Sequence, residues 1–251
     1  MMSKLIVFLV IAVLVPVLSA AQERKDIFAD PENLKVLPED ISSGDLSNTM
    51  KGFAMGLGVR CETCHMGEAG EPLDTFDFAS DERDMKKKAR VMLKMVREIN
   101  VLHVPKLNDI EDSQRVKVRC VTCHRGQQKP RLIEDVMDRE FAENGVDAAV
   151  GKYAELRENF YGTHSYDFSE FTLAMYAQGL AGDGKFQQAV AMATVNAEHY
   201  PDSYYTFFVL GDSYSGSGEN EQAIEAYQRA MELNPQAQPF LEQKIAALNA
   251  E

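Results

Sequence analysis

Cys61-Glu62-Thr63-Cys64-His65 and Cys120-Val121-Thr122-Cys123-His124 repeat one pattern, C-x-x-C-H, and together they use all four cysteines of a 251-residue chain. That spacing is the attachment sequence of c-type haem. Two thiols about one helical turn apart can each bond one vinyl group of a porphyrin. The next residue then projects an imidazole beneath the ring, where it becomes the proximal iron ligand. Structural zinc or two disulfides would also use four cysteines. Zinc leaves the histidine after each motif without a role, and the 55 residues between Cys64 and Cys120 make a long gap for a zinc ribbon. A thioredoxin-like redox pair asks for a βαβ setting, which is missing here. The motifs therefore point to two c-type haems, bonded at Cys61, Cys64, Cys120 and Cys123, with His65 and His124 on the irons.

The beginning of the chain agrees. Lys4 precedes an apolar run from Leu5 to Leu18, and Ser19-Ala20-Ala21 supplies small residues for cleavage. Residues 1–21 read as a secretory signal peptide, too short for a comfortable membrane span, with an uncleaved anchor as the alternative. The mature chain is expected to be soluble and periplasmic, on the side of the inner membrane where bacteria attach c-type haem. Its charge divides it in two. Residues 22–132 hold 19 Lys+Arg against 19 Asp+Glu, and residues 133–251 hold 6 against 20, within an overall charge of −13. The acidic half argues against nucleic acid and anionic lipid as partners. It fits a basic partner, or simply keeps the protein in solution.

In the first half, Ser42 or Ser43 can cap a helix that runs to about Leu57 and stops at Gly58. Leu46, Met50, Phe53 and Leu57 make one apolar stripe on it. The motif follows at once, so the stripe is expected to face its own haem. Methionine is a common sixth ligand in cytochromes c. Met50, eleven residues before Cys61, lies on the stripe; Met55 is closer and off it, and core filling is the plain role for either. After a loop from Met66 to Ser80, Ser80 is expected to cap a helix from Asp81 to about Asn100. Its stripe is Met85, Ala89, Met92, Val96 and Ile99, and Arg83, Lys86, Lys87, Lys88 and Arg90 are expected on its other faces. Met92 is the central candidate for the second iron, with Met95 and Met85 as rivals. A polar connection from Val101 to Arg119 carries His103, a surface residue or a ligand.

Several segments of this half, in order, resemble the cytochrome c subunit family of photosynthetic reaction centres. They are Leu34 to Ile41, Met50 through Leu57-Gly58-Val59-Arg60-Cys61, Ala89 to Met95, Ile99-Asn100, and Cys120 through His124-Arg125-Gly126. The resemblance covers about residues 30–130. It implies that Met50 and Met92 are the sixth ligands, and that His103-Val104 is similar to a histidine serving a different, distant haem. Reaction-centre members carry four haems and this chain has two motifs, so it looks like one half of that arrangement.

In the acidic half, Ile133 to Phe160 reads helical with a break at Gly145. A repeat of period 34 then pairs Gly184 with Gly218, Ala189 with Ala223 and Pro201 with Pro235. The copy containing Phe207, Leu210, Gly211, Tyr214, Gly218, Ala223, Tyr227, Ala230 and Pro235 fits the tetratricopeptide pattern. The first copy, about 170–203, is weaker, and Pro239 to Ala250 would cap the array. No Ser-His-Asp arrangement, phosphate loop or metalloprotease motif occurs, and His164 and His199 stand alone.

The expected fold is mainly α: a dihaem cytochrome domain over 22–132, then a helical repeat domain over 133–251. The expected function is a periplasmic carrier of single electrons between redox partner proteins, such as a membrane electron-transfer complex, docked through the repeats. Two other classes are a haem peroxidase or small-molecule reductase with an open iron, and an assembly factor whose haems sense redox state.

Overall fold

Ser42 caps the first helix, its side chain accepting the Asp45 N–H, and α1 runs over Ser43–Leu57. Gly58 ends it in the left-handed region at φ 63°, as its missing Cβ allows. These features come from a computed structural model that describes residues 26–107 and 117–250. The segment read as a signal peptide lies outside the described residues. Helices dominate: α2 (Asp84–Glu98), α3 (Val104–Leu107), α4 (Cys120–His124), α5 (Ile133–Asn144), α6 (Val146–Phe160), α7 (Glu170–Gly182), α8 (Phe186–His199), α9 (Tyr204–Ser217), α10 (Asn220–Leu233) and α11 (Gln238–Leu248). Among the described residues there is no strand, only a single bridge between Met66 and Asp77.

The second helix departs from its sequence reading. It starts at Asp84 rather than Asp81, and Ser80 does not cap it. The Asp77 carboxylate accepts the N–H groups of Ala79 and Ser80, and Lys86 Nζ donates to the carbonyls of Phe78, Ala79 and Ser80. Those bonds hold residues 78–80 in a turn. Asp81 is drawn away into ion pairs with Lys35, Lys86 and Arg90. Lys86 and Arg90 therefore point inward, and the outward basic cluster shrinks accordingly. At its other end α2 continues as a π-helical turn, Ile99–His103, into α3. Pro105 cannot donate to the preceding turn, so the chain widens to pass it. The region read as a polar connection is thus helical as far as Leu107, and residues 108–116 lie outside the description.

Helices α5 and α6 form a pair broken at Gly145, as expected from sequence. Beyond them the period of 34 becomes spatial. Helices α7, α9 and α11 begin at Glu170, Tyr204 and Gln238, and α8 and α10 at Phe186 and Asn220. Ala189 and Ala223 are fully buried where successive helices meet. One core extends from Ile133 through Tyr153, Leu173 and Met192 to Val209, and a smaller one joins Tyr227 to Leu241. The first half is different. Before residue 133 the only buried hydrophobic side chains among the described residues are Leu46, Phe76 and Val104, while Val91, Met92, Met95, Val101, Leu102 and Val121 stay exposed.

The two motifs are joined at glycines. Gly126 N–H donates to the Gly56 carbonyl at 3.0 Å, and a Cβ on Gly56 would stand 3.1 Å from Val121 N. A Cβ on Gly58 would meet the Gly126 carbonyl oxygen at 2.0 Å. Gly58→Ala is expected to lose about 2 kcal/mol or more, from left-handed strain and a clash with backbone. Urea unfolding of the variant beside wild type measures it.

Candidate functional site

Met50, Cys61, Cys64 and His65 all line one cleft of about 420 Å³. Its walls are the apolar face of α1, the segment Ile27–Leu37, and Lys86, Ala89, Arg90 and Leu93 from α2. Cofactor sites commonly span about 300–1,000 Å³ with mostly apolar linings and a few polar groups. Met55 is 72% exposed and outside the cleft. The first motif is a 3-10 turn, with His65 N–H bonded to the Cys61 carbonyl at 2.9 Å. The His65 ring stands edge-on to Phe78, centroids 5.0 Å apart. Its Nδ1 is buried with no hydrogen-bond partner of good geometry. Burial, reinforced by the Lys86 charge, lowers its pKa and favours the neutral ring that a metal requires.

The second motif is built differently. It is a helical turn, α4, closed by Thr122 Oγ1 accepting the Arg119 N–H at 3.0 Å. Asn100, in the π-helical turn after α2, grips its entry through both Val118 backbone groups at 2.8 Å. Cys120 is half-buried against Gly56 and Cys123 is exposed. His124 is buried, and its Nδ1 pairs with the Gln127 carbonyl at 2.9 Å. Since a carbonyl only accepts, Nδ1–H is the donor in this bond, which leaves Nε2 as the nitrogen that can face a metal.

All four cysteines are unpaired. Burial pushes the Cys64 and Cys120 thiols up, so neither is an activated thiolate. Among the described residues no group of three His, Cys, Asp or Glu side chains gathers as a metal cage. The donor sets suit haem c: paired thiols, a neutral imidazole beside them and, at the first motif, a thioether in the same cleft. The structure does not bring Met92 into a shared cavity with His124. Met92 is 37% exposed and Met95 41%, and the face of α2 toward the first cleft carries Leu93 instead. His103 is exposed in the π-helical turn, and His164 is exposed as well. Sequence reading missed Asn33, Asp81, Lys86, Arg90, Asn100, Gln127 and Ser165. Only the closeness of Asp81, Lys86 and Arg90 in the chain offered a signal; the side chains of Asn33, Asn100, Gln127 and Ser165 act on partners far away in sequence.

Cleft, motifs and donor sets define a c-type cytochrome. A family model described as the photosynthetic reaction centre cytochrome C subunit matches residues 12–178, and the chain belongs to that family. The family implies covalently bound haem c and an electron-carrying role. The match runs past residue 132 into α7. Cytochrome c-554 of Chloroflexus aurantiacus is 34% identical over 85 residues, which are 34% of this chain and 18% of that protein. The chain thus spans under a fifth of the curated relative it matches. No solved structure matches. No described helix is long and apolar enough to cross a membrane.

Asp81 is the hub of the cleft's polar rim. Its carboxylate meets Lys35 at 2.5 Å, Arg90 at 2.6 Å and Asn33 at 3.0 Å. The Lys35 bond foremost, with those from Arg90 and Asn33, holds its pKa far below the ordinary 3.8. A depressed native pKa stabilises the fold above the unfolded value, and that stabilisation is lost as pH falls through the acidic range below it. Asp81→Asn is expected to lower the urea midpoint at neutral pH. The gap from wild type should close as pH drops below about 3, which paired titrations measure.

Proposed function

We propose that this protein is a periplasmic dihaem cytochrome that passes single electrons between redox proteins. One haem is bonded to Cys61 and Cys64 with His65 and Met50 on its iron. The other is bonded to Cys120 and Cys123 with His124 and Met92. The observation that carries this reading is the convergence of Met50, Cys61, Cys64 and His65 on one apolar cleft. When bound, the haem supplies the ferrous–ferric couple. The chain's part is to hold it. The Cys61 and Cys64 thiols would fix the ring covalently, and the neutral His65 imidazole and the Met50 thioether would hold its iron, the thioether favouring a higher potential. With both His65 and Met50 committed to the iron no position would remain for a substrate, which favours a carrier over a peroxidase. The scarcity of buried side chains before residue 133 fits a half whose core is completed by porphyrin.

The division at residue 132 and the tetratricopeptide character of the helices after it belong to the same proposal, supported by the 34-residue register of α7, α9 and α11. Along these helices runs an aromatic row. Phe171 lies 5.7 Å from Tyr205, Tyr205 6.2 Å from Phe208, and Phe208 6.0 Å from Phe240. Phe171 and Phe240 are half exposed at the row's ends. In so acidic a half, this row is the surface proposed to dock a basic redox partner, such as a subunit of a membrane electron-transfer complex.

Haem assay and intact mass are expected to give two haems per chain, and the signal segment is expected to be absent from the mature protein. The oxidised protein should show a methionine–iron charge-transfer band, and the reduced protein should not bind carbon monoxide at the first haem. Met50→Ala should weaken that band and admit carbon monoxide at one haem. Ready carbon monoxide binding by wild type at that haem would falsify the closed site. Replacing Phe171 and Phe240 together with Ser should weaken association with the native acceptor at least tenfold, about 1.4 kcal/mol, while the haem spectra stay unchanged; unaltered binding would remove the row as the docking surface.

A further inference from the structure

We infer that Gln127 and Ser165 are positioning residues for the axial histidine of the second haem, so that the helical half tunes that haem's potential. The inference rests on the dihaem reading and concerns what surrounds His124. The imidazole Nδ1–H donates to the Gln127 carbonyl at 2.9 Å. That carbonyl is held from two sides. Gln127 N–H donates to the His124 carbonyl at 2.8 Å, and Gln127 Nε2 donates to the Ser165 carbonyl at 2.7 Å. Ser165 in turn donates its hydroxyl to the Arg125 carbonyl at 2.9 Å. One residue, 38 positions beyond Gln127, thus clasps both ends of the Arg125–Gln127 turn.

The turn needs holding. Arg125 has φ 49° and Gly126 φ 81°, two successive left-handed residues. A side chain in that region stores strain that persists only when neighbours enforce it. Ser165 is equipped to enforce it, being 9% exposed within a loop anchored to the helical core. Phe168 is buried, Tyr200 Oη donates to its carbonyl, and the Arg157 guanidinium lies 4.3 Å from the Tyr161 ring and 5.8 Å from Phe168. The first motif has no such support: His65 Nδ1 lacks a well-placed acceptor.

An acceptor on Nδ1–H orients a metal-bound imidazole and raises its basicity. A more basic ligand favours ferric iron and lowers the potential. Loosening the Gln127 carbonyl should therefore raise the potential of the second haem and leave the first alone. A role in fold stability alone would not single out one haem.

The test is a potentiometric titration of the full dihaem chain as wild type, Ser165→Ala, Gln127→Met and Ser165→Thr, after haem content has been measured. Met50→His, which exchanges a thioether for an imidazole, marks the first haem's wave. In Ser165→Ala and Gln127→Met the unmarked wave is expected to rise by about a threefold shift in its ferric-to-ferrous equilibrium, roughly 30 mV for one electron. Ser165→Thr, which keeps the hydroxyl, should stay near wild type. If Ser165→Ala fails to retain its second haem, Gln127→Met, which leaves the Ser165–Arg125 bond in place, carries the titration. Unmoved waves with both haems bound, or equal movement of both, would overturn the inference and leave the dihaem reading standing. A wild-type chain with one haem would overturn that reading, and this inference with it.

Discussion

The contact between Gly56, Gly58 and Gly126 governs the first half of the molecule. Helix α1 presents the methionine of the first cleft, and α4 carries the histidine of the second motif. They approach closely enough for the Gly56 carbonyl to accept the Gly126 N–H. Side chains at Gly56 or Gly58 would force the helices apart, since a Cβ on Gly58 falls 2.0 Å from the Gly126 oxygen and one on Gly56 3.1 Å from Val121 N. Because Cys61 follows α1 after a three-residue link and Cys120 opens α4, one backbone contact sets how the two motifs face each other. Covalent cofactors need this, because a ring anchored at fixed thiols cannot adjust to a helix that drifts.

The two halves solve the problem of a core in different ways. After residue 132, alanines and aromatics interdigitate between helices in a fixed register and form a continuous core from the chain's own side chains. Before it, the apolar side chains surround a cleft or remain exposed, and order comes from polar clasps. Asp81 ties Lys35, Lys86, Arg90 and Asn33 into one rim, and Asn100 pins the entry to the second motif. Such clasps are directional, so they set the shape of a cavity that apolar contacts alone would collapse.

The boundary between the halves is less sharp than their charges suggest. The family match continues into α7, and Ser165 reaches back to the turn after His124. Removing everything after residue 132 would therefore strip support from the second motif as well as remove the aromatic row proposed for docking. An experiment on docking has to alter the aromatic row and leave the 161–169 loop intact.

Much of this could be read from sequence because it is local. The two C-x-x-C-H motifs, the Ser42 cap, the Gly58 stop, the break at Gly145 and the period of 34 depend on neighbours within a turn or on repetition. Helical spacing placed Met50 on the face that lines the first cleft. The same spacing erred on α2, because it counts apolar residues and cannot see that Asp81 and the carbonyls of residues 78–80 draw Lys86 and Arg90 inward. The sequence by itself determined the chemistry on offer: two C-x-x-C-H motifs with their thiols and imidazoles, and a helical chain to carry them. Tertiary structure alone decided the surroundings of that chemistry, including the Gly56–Gly126 contact, the Asp81 rim and the Ser165–Gln127 support of His124. Their decisive bonds, Asn33 to Asp81, Gln127 to Ser165 and Gly126 to Gly56, join residues 38 to 70 positions apart, and only folding brings such groups within hydrogen-bonding distance.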